Sequence, residues 1–529
     1  MRPINTYLLQ LAKRAETYDR KHLIESFVDI GPLFTLLSNK DNQILFGRRG
    51  TGKTHVLGYL VNELQRQGVV AIQLDMRTVG STGGIYSDTR LPASERASRL
   101  LVDTLCAMHD QILSQILEKP EEYDLSRLGP LLDRFVEEAT RVVVEGTVEI
   151  EQGSSVSSTN REGVGVDFGF SSTGPHGLFR ANTDHQHASG EESRSRREGV
   201  ERLRVHFGSV GRELGRVVSS LPNACLWIVL DEWSEIPLDL QPYLADLLRR
   251  TILPIRGVSI KIAAIEQRCN FRIPDPDIGH IGIEIGADAA ASLNLDEFLV
   301  FENNPALAKR FFRELLHKHV RALVSESKEL DKISSSSAQF INDAFTQQPA
   351  FEEFVRSSEG VPRDAINIIG IAAQRALDNQ ISVPDVRGAA RTWYMRAKQQ
   401  AVSTKPRAQE LLNWIIGEVI QHRQARAFLL SSDVKDELID FLYDARVLHI
   451  IRQGVSAQDL PGRRFNVYSL DYGCYVDLIN TVRAPRGLFM AEIDEREGYV
   501  DVPHTDFRSI RRAILDLGIF YNQSTPIDV

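Results

Sequence analysis

Eight residues near the N-terminus, Gly47-Arg48-Arg49-Gly50-Thr51-Gly52-Lys53-Thr54, constrain the fold of this chain more than any other stretch. They fit the pattern G-x-x-x-x-G-K-[S/T] in full. The apolar run Gln43-Ile44-Leu45-Phe46 precedes them and a helical pattern over 55–67 follows, which is the strand–loop–helix context the pattern requires. Such a glycine-rich loop curls until its backbone N–H groups point at one centre, and the helix N-terminus adds partial positive charge there. All eight residues are therefore candidate phosphate-binding residues. Lys53 is expected on the β- and γ-phosphates of a nucleotide, and Thr54 is expected to offer its hydroxyl to Mg²⁺.

A second strand candidate, Val69–Asp75, follows the helix, so the chain opens as a parallel α/β sheet. A phosphate loop needs an acidic partner from a neighbouring strand to hold the metal. Leu226-Trp227-Ile228-Val229-Leu230 ends in Asp231-Glu232 and supplies it: Asp231 for the Mg²⁺ shell, Glu232 to orient and polarise an attacking water as general base. Asp75 also ends an apolar strand but lacks the second carboxylate. Asn39-Lys40-Asp41 misses the NKxD spacing of GTPases and precedes the loop, which disfavours GTP.

At 529 residues the chain has room for about three domains. The pattern divides it into a phosphate-loop core over 1–302, a helical segment over 303–404 punctuated by Pro349, Gly360-Val361-Pro362 and Pro384, and a C-terminal domain over 405–529. Lys53 and Asp231 stand 178 positions apart, more than a compact core needs, so 80–215 reads as an insertion: a lever or recognition module, or a passive decoration. Within it, helices are expected over 93–119, 125–144 and about 199–219, and a hairpin from 148–150 and 164–170. The polar stretch 171–198 is expected to be a flexible loop, with His176, His185 and His187 solvated. Cys106, Cys225, Cys269 and Cys474 form no metal spacing and read as reduced thiols. No run approaches the roughly 18 apolar residues of a spanning helix, so no membrane role and a cytoplasmic protein are expected.

With the phosphate loop, a strand ending Asp231-Glu232 and Gly360-Val361-Pro362-Arg363 in the helical segment, the chain resembles AAA+ ATPases. It is most similar to their origin-recognition-type initiator branch, in the form of bacterial relatives associated with mobile elements or defence. The resemblance covers about 27–75 and 220–470. It implies an α/β fold: an AAA+ parallel sheet with a helical lid and a C-terminal winged-helix domain. It implies ATP and Mg²⁺ as ligands, and a homo-oligomer. Arg363 matches the lid arginine that reaches the γ-phosphate, the sensor-2 position; Pro362 suits a helix's first turn. Phe27 and Val28 match the lining of the adenine pocket. The sensor-1 position falls after the strand 259–265, where the usual small polar residue is replaced by Glu266-Gln267; Gln267 is the better fit beside a phosphate. For the arginine that such enzymes lend to a neighbouring subunit, Arg268 and Arg272 lie in the expected place, with Arg249, Arg250 and Arg256 as rivals.

The winged-helix reading places helices at about 407–423 and 433–444 and a hairpin from 447–451 and 465–470, tipped by Arg452, Arg463 and Arg464. The second helix carries Asp433, Asp436, Glu437, Asp440 and Asp444 against Lys435 alone, and the whole chain has a net charge of −9. Phosphate neutralisation supplies much of DNA affinity, so that helix opposes DNA and the arginine-tipped wing favours it. Partner classes therefore stay open at the sequence level: an ATPase switching assembly on DNA as an initiator or loader, a signalling or phage-defence switch acting through protein partners, or an ATP-binding scaffold without turnover.

Overall fold

Strand β1 (Gln43–Phe46) is buried along its whole length and delivers the chain straight into the glycine-rich loop, after which the helix Lys53–Arg66 begins. The computed structural model describes residues 1–11, 20–29, 31–79, 86, 88, 90–145, 148–150, 195–197, 200–203, 205–275, 279–301, 303–325, 333–422, 426–456, 462–479 and 514–523. Four further strands share the sheet of β1: β2 (Val70–Asp75), β3 (Leu226–Asp231), β4 (Val258–Ala264) and β5 (Ala290–Asn294), in the order β5-β1-β4-β3-β2. β1 pairs in parallel with β4, Gln43 opposite Lys261 through Phe46 opposite Ala264, and in parallel with β5. β2 pairs in parallel with β3 from Val70 opposite Leu226 to Asp75 opposite Asp231. β3 and β4 are buried at every residue, as expected where helices cover both faces of a parallel sheet.

The chain divides into two compact units, and β4 runs from one into the other. The first holds 1–63, 261–269 and 289–529. After β5 it is built from the helices Pro305–Leu323, Ser337–Ala344, Gln348–Ser357, Pro362–Ala376 and Val383–Trp393. Pro305, Pro349, Pro362 and Pro384 each sit in the first turn of one of these helices, where a missing N–H removes no intrahelical bond. The prolines that punctuate the sequence thus begin helices. Ser382 and Asp385 close a reciprocal capping box on the last of them. Further on come the helix Pro406–Ile415, β6 (Ala427–Ser431), the helix Glu437–Asp444 and the hairpin β7 (Leu448–Ser456) and β8 (Arg464–Leu470), in an antiparallel sheet of order β6-β8-β7. Ala427, Leu429, Ile451, Phe465 and Val467 form its core together with Val300. The strand β6 was not legible in the pattern.

The second unit holds 64–260 and 270–288. The helix expected over 93–119 is present as Ala93–Glu118; of its apolar stripe, Leu100, Leu101, Leu105, Met108 and Ile112 are buried and Leu113 is half-buried. Two expectations are corrected. The helix expected over 125–144 stops at Ala139, and the one expected from 199 begins only at Phe207. Val142–Glu145 is instead a strand pairing antiparallel with the strand Val200–Leu203, so ladder hydrogen bonds from a distant segment override local helical spacing. Val148–Ile150 pairs with Ser195–Arg197, three residues of the stretch read as loop. The other proposed hairpin strand, 164–170, and His176, His185 and His187 lie outside the described residues. All four cysteines are free thiols. No helix among the described residues is long and apolar enough to cross a membrane.

Asn39-Lys40-Asp41, no GTPase motif, has a structural role. Lys261 of β4 is fully buried, and its ammonium donates to the carbonyls of Asn39 (2.9 Å) and Asp41 (2.7 Å) and to the side chain of Gln43. Burial pushes its pKa down from 10.5 to about 7. Between those values the unfolded chain holds more protons than the folded one, so this group makes stability rise with pH across the window. Thermal unfolding of wild type and Lys261→Met at pH 7 and at about pH 9.5 checks this. The rise in Tm on going to the higher pH is expected to be smaller in the variant; an equal rise contradicts the assignment.

Candidate functional site

The loop is held from three sides within the first unit. Gly47 N–H donates to Ala264 O at the end of β4 (3.2 Å), and Thr51 Oγ1 donates to Arg48 O (2.9 Å), closing the curl. Gly50 and Gly52 have φ of +90° and +97°, which L side chains resist. Lys53, 6% exposed, turns back into the curl and donates from Nζ to Gly47 O (2.7 Å) and Arg48 O (3.1 Å). Ionised phosphate oxygens are stronger acceptors for an ammonium than the neutral carbonyls it meets here. Thr54 is half-buried in the first turn of the following helix, and Arg49 is exposed.

Arg363 is the residue that meets the loop from the lid. Its N–H donates to Gly50 O (3.1 Å), and a Cβ on Gly50 would lie 2.7 Å from Arg363 Cβ. Gly50 is thus required twice, by its φ and by the seat of Arg363. The backbone of Arg363 thus lies against the loop.

Arg48 departs from the cradle. It was expected among the phosphate-binding residues, yet both its N–H and its guanidinium donate to one carboxylate: N to Asp296 Oδ2 and Nε to Asp296 Oδ1, each 2.9 Å. Tyr443 donates its hydroxyl to the same Oδ2 (3.0 Å) and lays its ring 5.1 Å from the guanidinium carbon. Arg48 Nη1 bonds His449 Nδ1, and His449 Nε2 reaches Asp471 Oδ2 (3.1 Å). Burial, and then the charge of Arg48, pushes His449 down to about 3. A neutral ring serves both bonds, accepting at Nδ1 from Arg48 and donating from Nε2 to Asp471. Asp296 and His449 were missed in the sequence: they lie 248 and 401 residues from Arg48, and no local spacing links them.

Of the other candidates, Phe27 stacks on Tyr59 with ring centroids 3.8 Å apart and packs edge-on to Phe34 and His55. Lys318 Nζ, in the helix Pro305–Leu323, donates to Phe27 O (2.8 Å), so Phe27 is held by that helix as well as against Tyr59 of the helix Lys53–Arg66. Glu266, Gln267 and Arg268 form a single turn after β4. Glu266 accepts from Asn294 (3.4 Å) and Gln453 (3.3 Å), and Gln267 Oε1 is buried without a hydrogen-bond partner. Arg268 pairs with Asp444 at 3.1 Å within the same chain.

In the second unit, Asp231 ends β3 and is 2% exposed; its carboxylate accepts from Glu232 N (2.9 Å) and from Gln73 Nε2 (3.4 Å). Glu232 has φ +55°, a left-handed conformation that a non-glycine residue holds at a cost of about 1–3 kcal/mol and that clusters at functional sites. Asp75, the rival, lies opposite Asp231 in the ladder but is taken by Arg77, with bonds of 2.6–3.1 Å. Arg249 and Arg250 both pair with Asp246, and Arg272 with Glu284.

Substituting Gly50→Ala tests the loop geometry. A methyl group there meets Arg363 Cβ and strains φ, a penalty of about 1–3 kcal/mol. Equilibrium titration with ATP·Mg is expected to show at least about tenfold weaker binding, with Tm lowered by a few degrees, about 2–4 °C per kcal/mol; wild-type affinity would contradict this geometry.

Residues 11–75 match the family model described as ORC-CDC6-like. Three solved structures align along most of the chain. The Aeropyrum pernix ORC1 protein in complex with DNA is 13% identical over 90% of this chain and 96% of that one, with a TM-score of 0.30. Drosophila ORC bound to DNA is 11% identical, covering 88% and 94%, TM-score 0.30. CDC6P from Pyrobaculum aerophilum is 12% identical, covering 89% and 97%, TM-score 0.28. Scores of that size do not establish a common arrangement in space. No curated protein matches the chain. The family match spans Phe27, Val28 and the whole phosphate loop, and on that segment the chain is similar to ORC-CDC6-like proteins.

Proposed function

We propose that the protein is a Mg²⁺-dependent ATPase that hydrolyses ATP to switch its assembly or its hold on a partner, acting in the cytoplasm. The observation that carries this is Lys53 lodged on the carbonyls of the phosphate loop while Arg363 is seated on Gly50 of the same loop. In this reading the N–H groups of Gly50 through Thr54 receive the phosphates, and Phe27 and Val28 border the base. The donor set suits Mg²⁺: Thr54 offers a hydroxyl and Asp231 a buried carboxylate at a strand end. Once bound, Mg²⁺ would supply charge neutralisation between the β- and γ-phosphates. Glu232 orients and deprotonates the water in line with the γ-phosphorus, and Gln267 assists in holding it. Lys53 and Arg363 stabilise the charge that gathers on the phosphoryl oxygens. An arginine from a second copy completes the site. Arg268 and Arg272 are the first candidates for it and Arg249, Arg250 and Arg256 the rivals; ion pairing within the chain does not separate them, since Arg268, Arg272, Arg249 and Arg250 each meet a carboxylate.

The partner proposed first is DNA, through a winged-helix-like domain made of the helix Pro406–Ile415, β6, the helix Glu437–Asp444 and the β7–β8 hairpin. The similarity of residues 11–75 to ORC-CDC6-like proteins supports it. A protein partner is the second reading, favoured by one observation: the helix Glu437–Asp444 carries Glu437, Asp440 and Asp444 and no cationic residue that could meet a phosphate.

Phosphate release measured with and without duplex DNA, at several salt and protein concentrations, separates the readings. The expected result is turnover that rises with protein concentration, is stimulated by DNA at low salt and falls steeply as salt is added. Glu232→Gln is expected to keep ATP binding and lose about 10²–10⁴-fold in turnover. Release at background in both wild type and Glu232→Gln leaves a scaffold without hydrolysis, and measurable turnover unchanged in Glu232→Gln contradicts the role of Glu232. Indifference to DNA at low salt leaves the protein-partner reading.

A further inference from the structure

We infer that Arg48 is a positioning residue for the phosphate loop, held in place by a buried chain of charged groups that ends beside Arg363, so that loop, lid helix and C-terminal sheet are set as one. The consequence for nucleotide binding rests on the ATP reading above; the geometry of the chain does not.

The links can be followed one by one, all within the first unit. Arg48, 1% exposed, gives its N–H and Nε to Asp296 and its Nη1 to His449. His449 belongs to β7 and passes to Asp471, which follows β8 directly. Asp471 Oδ2 accepts from Lys398 Nζ at 2.5 Å, and Lys398 Nζ also lies 2.9 Å from Asp364 Oδ2. Asp364 pairs at its other oxygen with Arg446 (2.6 Å) and is the residue after Arg363, in the first turn of the helix Pro362–Ala376. That helix returns to the start, because Arg363 N–H donates to Gly50 O. The circuit therefore leaves the loop at Arg48 and comes back to it at Gly50.

Its charges balance. Arg48, Lys398 and Arg446 face Asp296, Asp471 and Asp364, with His449 neutral between them. Glu359, His449 and Asp471 also bring ligand atoms within 4.8 Å of one another, a geometry that suits a metal ion. Those carboxylates are already answered: Asp471 by Lys398, and Glu359 by Arg426 and by the Tyr472 N–H (2.9 Å). The cluster is thus an ionic relay with no charge left for a cation to meet. In such a relay no member moves alone, because each displacement strands a buried charge. A shift of the loop on binding polyphosphate is felt at Asp471 and Asp364, and the reverse holds by linkage.

The test perturbs the far end and reads the near end. Lys398 touches no atom of the loop in this relay; Lys398→Met is compared with wild type, Arg48→Met and the double variant. The first readout is hydrogen exchange of the amides of 47–54 in nucleotide-free protein, and the second is ATP·Mg affinity by equilibrium titration. Lys398→Met is expected to speed exchange in the loop and to weaken ATP about fivefold, Arg48→Met about tenfold, and the double variant no more than Arg48→Met alone. His449→Gln, which keeps one acceptor and one donor, is expected to behave as wild type, and His449→Leu to behave as Arg48→Met. These two decide the matter if Lys398→Met does not fold. Wild-type loop exchange in Lys398→Met or in His449→Leu would overturn the inference, as would effects that multiply in the double variant. Absence of ATP binding in the wild-type protein would sink the ATP reading instead, while loop exchange still decides the relay.

Discussion

The two bonds from Arg48 to Asp296 are the contact on which the first unit turns. A phosphate loop is a short, strained piece of backbone, and its ligand-binding shape must exist before the ligand arrives. Here the shape is stabilised by a side chain of the loop itself, anchored through a carboxylate that follows β5 and through a histidine in β7. Breaking a buried pair of this kind costs about 3–5 kcal/mol, since the partner left behind keeps its charge without water. That penalty is large against the total stability of a domain, so the loop and the C-terminal sheet are tied in energy as well as in contact.

Internal pairing of charge also explains a feature that first counted against nucleic acid. The acidic residues near 433–444 suggested a recognition helix that repels phosphate. In the structure the helix begins only at Glu437. Asp436 caps it by accepting from Leu438 N and Ile439 N, where negative charge suits the helix dipole. Asp444, at the other end, neutralises Arg268. Much of this acidity thus answers internal donors, and the net charge of the sequence overstates what the helix presents to a partner.

What could be read from the sequence is what depends on neighbours along the chain. The run from Gln43 to Thr54 is a local pattern, and strand, loop and helix follow as the spacing demands. Pro362-Arg363 marks a helix start by proline chemistry alone, and the structure puts that start on the loop. What could not be read is what depends on distant segments. Val200–Leu203 carries helical spacing but pairs as a strand with Val142–Glu145, and β6 becomes a strand only against β8. Arg48 looks like an unremarkable filler of the loop pattern. Its role emerges only when Asp296, Tyr443 and His449 converge on it from three other elements.

In the proposed reading the two buried cations of the loop have separate roles, Lys53 answering the ligand and Arg48 answering the protein. An experimental structure with a non-hydrolysable ATP analogue and Mg²⁺ tests this division most directly. The Lys53 ammonium is expected to leave the carbonyls of Gly47 and Arg48 for the phosphates, while Arg48 stays on Asp296 and His449. A structure in which Arg48 abandons Asp296 and turns to the phosphates would contradict it.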